Sequence, residues 1–349
     1  VNDFSFRFFD GRISGRLHRY APVLAVLFTI LLLTLLATSA AMGSFEISLP
    51  GLWAALTSPA SGQTETTVLW ELRLPRFIAA CLVGAMLGLS GALLQGVTRN
   101  PLADPSLVGV SQGASLAVVA LIILFPTTSL FWRPLCAFGG AILASLLIQW
   151  ISAGRSSAQS LRFILVGIGL AALISSVTTA ALTYGQINLA MEALSWLAGS
   201  VHTASWKVCQ VLIIGFLVLS PLLVWVASPL AVLRFGPEIS SALGLNVRRA
   251  RFTVITLSVA LAALAVSVAG PIGFVGLLAP QLVHRLIPSR PGTHLFLTAF
   301  VGALIVALAD LVGRTAAAPI QLPAGLVSSI IGAPIFAILL LRRVRTSLS

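Results

Sequence analysis

Few residues in this chain could do chemistry, and most of those sit at the edges of apolar runs. Asp310 is the one carboxylate well inside such a run, in "ALADLVGRT", with Arg314 four places later on the same helical face. A carboxylate at that depth could carry a proton or a cation. A basic residue at i+4 would instead hold it in an intrahelical ion pair, and the spacing favours that pair. P-loop chemistry needs a lysine among glycines, and the single lysine, Lys207, stands in "TASWKVCQ". His18, His202, His284 and His294 are scattered without ligand spacing. Cys81, Cys136 and Cys209, odd in number and in or beside apolar segments, suit neither a zinc site nor a disulfide framework. No catalytic residue, metal site or cofactor of its own is therefore expected. Whatever the chain moves or holds, the energy must come from a partner.

These sparse groups are embedded in 349 residues of which 58% are hydrophobic and only 9% charged, with mean hydropathy +1.04. A soluble domain carries roughly 25% charged residues. This one lacks the polar surface to stand in water. Apolar runs recur at the length of about 20 residues that crosses a bilayer as a helix, and the short alternating segments of a membrane barrel are absent. The fold expected is all-α and polytopic, with about ten transmembrane helices over residues 22–42, 74–97, 107–125, 134–152, 161–184, 207–226, 252–270, a short 273–287, 295–313 and 320–341. On that reading residues 1–21 are a cytoplasmic segment, 22–343 the membrane domain and 344–349 a cytoplasmic tail. The run that follows Arg7, Arg12, Arg16 and Arg19 is longer than the apolar core of a signal peptide, about 7–15 residues, and is taken as the first span.

The net charge of +12 is no nucleic-acid signal. Arg99, Arg155, Arg162, Arg234, Arg248, Arg249, Arg251, Arg285, Arg290, Arg342, Arg343 and Arg345 all fall on the side of the N-terminal arginines, as the positive-inside rule requires of the cytoplasmic face. Arg73, Arg76, Arg133, Lys207 and Arg314 fall on the other side. Small residues stud the second span (Ala80, Gly84, Gly88, Gly91) and the region of the eighth (Gly270, Gly273, Gly276), a spacing that lets helix backbones approach closely in lipid. After the second span, "RNPLADPSLVGVSQG" punctuates sharply, with Asp104 as N-cap and Pro105 at a first helical position.

The polar island "FGPEISSALGLNVRRAR" lies within a stretch of about 230–251 between two apolar runs. Pro237 suits the start of a short helix, Ile239, Ala242 and Leu243 share a face, Gly244 suits its C′ stop, and Asn246 can cap a second turn. Such a helix either rests on lipid headgroups or docks into a groove on a soluble protein. The residues alone leave both open.

"SALGLNVRRAR", then "GPIGFVGLLAPQLVHRL", "ALADLVGRT" and "IQLPAGLVSSIIGAPIFAILLLRR", together with "LWELRLPRFIAACLVGAMLGLSGALLQGVTRNPLADPSLVGVSQGAS", resemble in order the FecCD-type permeases. These are membrane subunits of ABC importers for iron–siderophore complexes, haem and cobalamin. The resemblance runs from about Trp70 to Arg343. It implies that the island seats on a cytoplasmic ABC ATPase subunit through Glu238, Ala242, Leu243, Gly244 and Leu245, with ATP and Mg held by that partner. It implies that Arg73, Arg76 and Arg314 face acidic residues of a periplasmic or extracellular substrate-binding protein, and that a second permease subunit completes the path. Asn100 and Leu102 match one part of the family's cytoplasmic gate, and Ser160 and Leu161 align with the other. Iron(III)-siderophore is the first cargo expected, haem the second and cobalamin the third. Outside this class, a self-sufficient ion-coupled carrier would have to work through Asp310. Two departures stand out. Where the family usually has Pro-His after "GLLA", this chain has Pro280-Gln281, and the arginine expected next is at Arg285, with His284 in its place.

Overall fold

The computed structural model describes residues 3–8, 13–18, 20–42, 47–57, 64–152, 159–287 and 289–348. The chain opens with an antiparallel hairpin, β1 (Asp3–Phe8) against β2 (Ile13–His18), in register Phe4 with Leu17 and Phe6 with Gly15. The hairpin is an addition to the all-helical bundle expected, which follows it. The alternation Phe4, Phe6, Phe8 ahead of Asp10-Gly11 is a hairpin signature of its own.

The elements described after it are all helices: α1 (Ala21–Ala41), α2 (Leu49–Thr57), α3 (Thr64–Thr67), α4 (Leu74–Thr98), α5 (Val110–Leu124), α6 (Trp132–Ile151), α7 (Gln159–Tyr184), α8 (Ile187–Leu197), α9 (Trp206–Leu233), α10 (Pro237–Ala242), α11 (Val247–Ala269), α12 (Val275–Leu286), α13 (Pro291–Thr315) and α14 (Ala324–Leu348). Each of the ten expected spans has a helix. Among the described residues seven are long and apolar enough to cross a membrane, while α5 and the apolar part of α14 are shorter. Helix α12, read as a span over 273–287, has 12 residues and rises only about 18 Å. The chain breaks before it at Gly270 (φ 68°) and Phe274 (φ 67°).

The second span also differs from expectation. It begins at Thr64 rather than 74, because α3, a π-helical turn (Val68–Arg73) and α4 run on as one helix. Pro75 has no N–H to donate, and the wider π turn just ahead of it takes up the irregularity. Arg73, ahead of the expected span, therefore lies like Arg76 within a continuous helix. Helix α8 and the short α2 were not foreseen.

Helix α4 is the hub, buried along most of its length where α1 and α9 bury few of their residues. It packs against α13, α11, α12 and α9. Its glycines make this possible. A Cβ at Gly84 would stand 2.2 Å from the carbonyl oxygen of Gly302, and one at Gly91 only 1.9 Å from that of Gly276. Both obstacles are backbone, which cannot rotate aside. Gly91→Ala should therefore push α12 off α4. Overpacking costs about 1–3 kcal/mol in a packed interior, and here the clash with main chain puts the loss at or above that range. A lowered thermal midpoint and a broadened gel-filtration peak in detergent would register it, whereas Gly139→Ala, where a Cβ meets nothing, should be silent.

Candidate functional site

Helix α10 is short but firmly made. Pro237 opens it. At its end Leu245 N–H donates to the Ser240 carbonyl (3.0 Å) and Gly244 N–H to that of Ser241 (2.9 Å), the paired bonds of a Schellman stop with Gly244 at φ 82°. Buried Ser240 donates its hydroxyl to the Val232 carbonyl at 2.8 Å, pinning α10 to the last turn of α9. Asn246 caps α11, its Oδ1 accepting from Arg249 N–H at 3.1 Å. On this rigid corner Phe235, Ile239 and Leu243 are 62%, 52% and 64% exposed. Glu238, Ala242 and Gly244 are exposed too, while Leu245 is half-buried and packs on the main core. Ser240 and Phe235 are the members of the corner not singled out from the sequence. The serine's signal was its place about 100° round the helix from Ile239, off the face that Ile239 and Leu243 share.

At the same end, Arg99 closes α4 in the left-handed conformation (φ 54°), with its guanidinium over Gly236. Asn100 then folds an Asx turn, its Oδ1 accepting from Leu102 N–H at 2.9 Å, and leaves Leu102 exposed. Asp104 caps a 3-10 turn, Pro105–Val108, through Ser106 N–H (2.9 Å), as the Asp-Pro pair predicts. Burial pushes the Asp104 carboxyl above its ordinary range, and its hydrogen bonds with Ser106 work against that. This turn packs against α7, whose first residues include Ser160 and Leu161. The side chains of those two lie outside the described residues. Gln281, at the family departure, donates to Gln95 Oε1 (2.9 Å) and to the Pro101 carbonyl (3.2 Å), and Gln95 donates to that of Gly276 (3.1 Å). The substituted corner is thus a link between α12, α4 and the Asn100–Leu102 turn.

The far end of α4 holds the arginines. Arg73, Arg76 and Arg314 are 7%, 8% and 6% exposed, so all three turn inward. Arg76 Nε donates to both oxygens of Asp310 (2.9 and 3.0 Å), and its Nη2 lies 2.9 Å from Oδ1. Its Nη1 donates to Gln321 Oε1 (2.8 Å) and meets His202 Nδ1 at 3.0 Å. Arg314 is only 4.0 Å from Asp310 through Nε. Its Nη atoms donate instead to the carbonyls of Ser39 (2.7 Å) and Met42 (3.1 Å) and to the Ser39 hydroxyl, and Arg73 donates to the Ala40 carbonyl. The i+4 pair of Asp310 with Arg314 is therefore present but long; the closer partner comes from α4, and Arg314 and Arg73 also satisfy orphan carbonyls at the C-terminal end of α1, where cations are favoured.

The loop that presents His202 is placed by close glycine contacts. A Cβ at Gly199 would stand 2.1 Å from the Pro271 carbonyl oxygen, and Gly325 N–H donates to the Gly199 carbonyl at 2.9 Å. Because a guanidinium is always a donor, His202 Nδ1 must accept, and the ring is neutral with its proton on Nε2. Burial and the Arg76 charge push His202 below its ordinary value, with Asp310 partly opposing. Unfolding lets the ring regain that value, so the unfolded chain binds more protons and stability falls as pH drops below about 6.5. Between pH 7.5 and 5.5 the wild-type thermal midpoint should fall more than that of His202→Gln, which cannot titrate; parallel curves would refute the contact.

The model of the FecCD transport family matches residues 30–342, from within α1 to within α14. The chain belongs to the FecCD transport family. Among its FecCD relatives, the Fe(3+)-citrate import system permease protein YfmE of Bacillus subtilis (strain 168) is 37% identical over 323 residues, covering 91% of this chain and 95% of the relative. The hemin transport system permease protein HmuU of Yersinia pestis is 35% identical over 334 residues, covering 93% and 97%. A candidate metal-chelate type ABC transporter, solved in an inward-facing conformation, superposes with TM-score 0.83 at 28% identity, covering 92% of this chain and 99% of that one. The long helices of a FecCD chain are thus assigned to membrane transport by sequence and architecture together.

Proposed function

We propose that this chain is the permease subunit of an ATP-binding-cassette importer that carries an iron(III) chelate across the bacterial inner membrane, with both termini cytoplasmic. A soluble binding protein delivers the cargo at the Arg76 end, and a second permease subunit forms the other wall of the path. ATPase subunits seat on α10 at the opposite end, about 33 Å away along α4. The observation that carries this reading is the exposure of Phe235, Ile239 and Leu243 on and beside a short helix too tightly stopped and pinned to be a loose loop. Large apolar side chains held rigidly in the open mark a surface that another protein covers. ATP bound between two such ATPase subunits would draw the α10 corners together, and α9, the Arg99 contact and the Asn100–Leu102 turn would carry that motion to the gate.

Iron–siderophore or iron–citrate cargo is favoured over haem by the weight of iron-chelate names among the nearer relatives. Acidic groups of the binding protein would reach Arg73, Arg76 or Arg314 only after these leave their present partners, so docking at that end couples to opening it. Purified chain should be reconstituted in vesicles with its partner ATPase and binding protein and supplied with radiolabelled ferric citrate, a ferric hydroxamate or haem. Uptake that needs ATP and ignores an ion gradient is the expected result. Gradient-driven uptake without the ATPase would overturn it.

A further inference from the structure

Three arginines near the coupling corner have no part in the assignments above. Arg248, Arg249 and Arg251 lie in the first turns of α11 and line a cleft of about 1210 Å³. One wall of the cleft is the end of α6, with Leu146 and Trp150, and the other is α9, with Trp225 and Pro229. Helix α11 packs against both α6 and α9 and forms the floor, with buried Ala250 and Val254. Among the described residues no aspartate or glutamate lines the cleft, and none of the three arginines has an ion-pair partner. Trp150 and Trp225 are 76% and 61% exposed. All three helices are of the kind that crosses a membrane.

We infer that this cleft is a binding site for an anionic glycerophospholipid, its phosphate on Arg248, Arg249 and Arg251 and an acyl chain lying between Trp150 and Trp225. The charge is of one sign and uncompensated, which selects an anion. The walls are apolar and aromatic and sit at the ends of spanning helices, where tryptophan marks the boundary between hydrocarbon and headgroup. A small soluble anion would use the arginines and leave the greasy walls idle; a lipid uses both. Basic pockets between spanning helices take anionic headgroups for this reason. The site borders Leu245 and Asn246, so the lipid would lie against the hinge from α10 into α11.

Native mass spectrometry on the full-length chain in detergent tests this, with phosphatidylglycerol and phosphatidylcholine of identical acyl chains as probes. At about fivefold per arginine, the wild type should retain phosphatidylglycerol at least about tenfold more strongly. Arg248→Gln/Arg249→Gln/Arg251→Gln should bring the two lipids level, and Arg290→Gln, outside the cleft, should change nothing. Trp150→Ala/Trp225→Ala should weaken retention of both. Should the triple variant aggregate, exposed Arg248→Gln alone is read, with an expected loss of about fivefold in preference. Equal retention by the wild type, an undiminished preference in the arginine variants, or displacement of the lipid by equimolar inorganic phosphate would each overturn the assignment.

Discussion

Leu243→Asp should yield a folded, membrane-inserted protein that no longer recruits its ATPase and no longer takes up cargo. Leu243 is 64% exposed and is not part of the cores that hold the bundle, so its loss should cost the chain within about 0.5 kcal/mol. In the proposed importer the same position would be a buried apolar anchor. An anchor of that kind is worth about 2 kcal/mol or more at an interface, and the substitution also buries an unpaired carboxylate. ATP-driven uptake should fall by at least about thirtyfold, from the anchor term alone. Gly244→Val should reach the same end by a different route, because a β-branched residue resists the left-handed backbone that the Schellman stop requires. Pull-down of the ATPase and vesicle uptake check both variants. Full coupling in Leu243→Asp would remove α10 as the seat.

Much of this was open to reading in the sequence, for physical reasons that differ from element to element. The long helices announce themselves by apolar length, and α10 by a proline start, a glycine stop and a polar setting. Its internal pins, Ser240 to Val232 and Leu245 to Ser240, follow from that local chemistry. The short helix α12 falls within the short span expected over 273–287, but apolar content says nothing about the break at Gly270–Phe274. The arginines were harder. An i, i+4 spacing makes Arg314 the visible partner of Asp310, and that pair forms at 4.0 Å, yet the closer contact joins residues 234 positions apart, and no local pattern encodes it. Nor does a helix announce who will cap it: the carbonyls at the end of α1 are satisfied by Arg73 and Arg314 from distant helices. The positive-inside rule flags these arginines as exceptions without saying what they do. Gln281 was visible only as a departure from family pattern. The structure gives it a task, tying α12 and α4 to the Asn100–Leu102 turn.

Asp310→Asn should destabilise the fold sharply and yet leave each surviving molecule able to transport. The Arg76–Asp310 pair is buried and bidentate, and removing one partner strands the other charge, at a cost of about 3–5 kcal/mol. The asparagine amide can accept one bond from Arg76 but cannot balance its charge, and its own N–H groups would point at the guanidinium. Removing both charges is different. Arg76→Met with Asp310→Leu deletes the desolvation penalty along with the attraction, and exchanges of that kind are often neutral or stabilising. It also frees His202 and Gln321 from their shared donor, so the loops bearing them should loosen while the helices hold. A thermal midpoint far below wild type for Asp310→Asn and largely restored in the double variant is the expected pattern. Uptake normalised to folded protein decides what the pair is for. An ion-coupled carrier would need the carboxylate itself and would be dead in both variants. A permease driven from α10 needs only that this end close and reopen; the double variant should then transport, with weakened closure visible as leak of cargo in the absence of ATP.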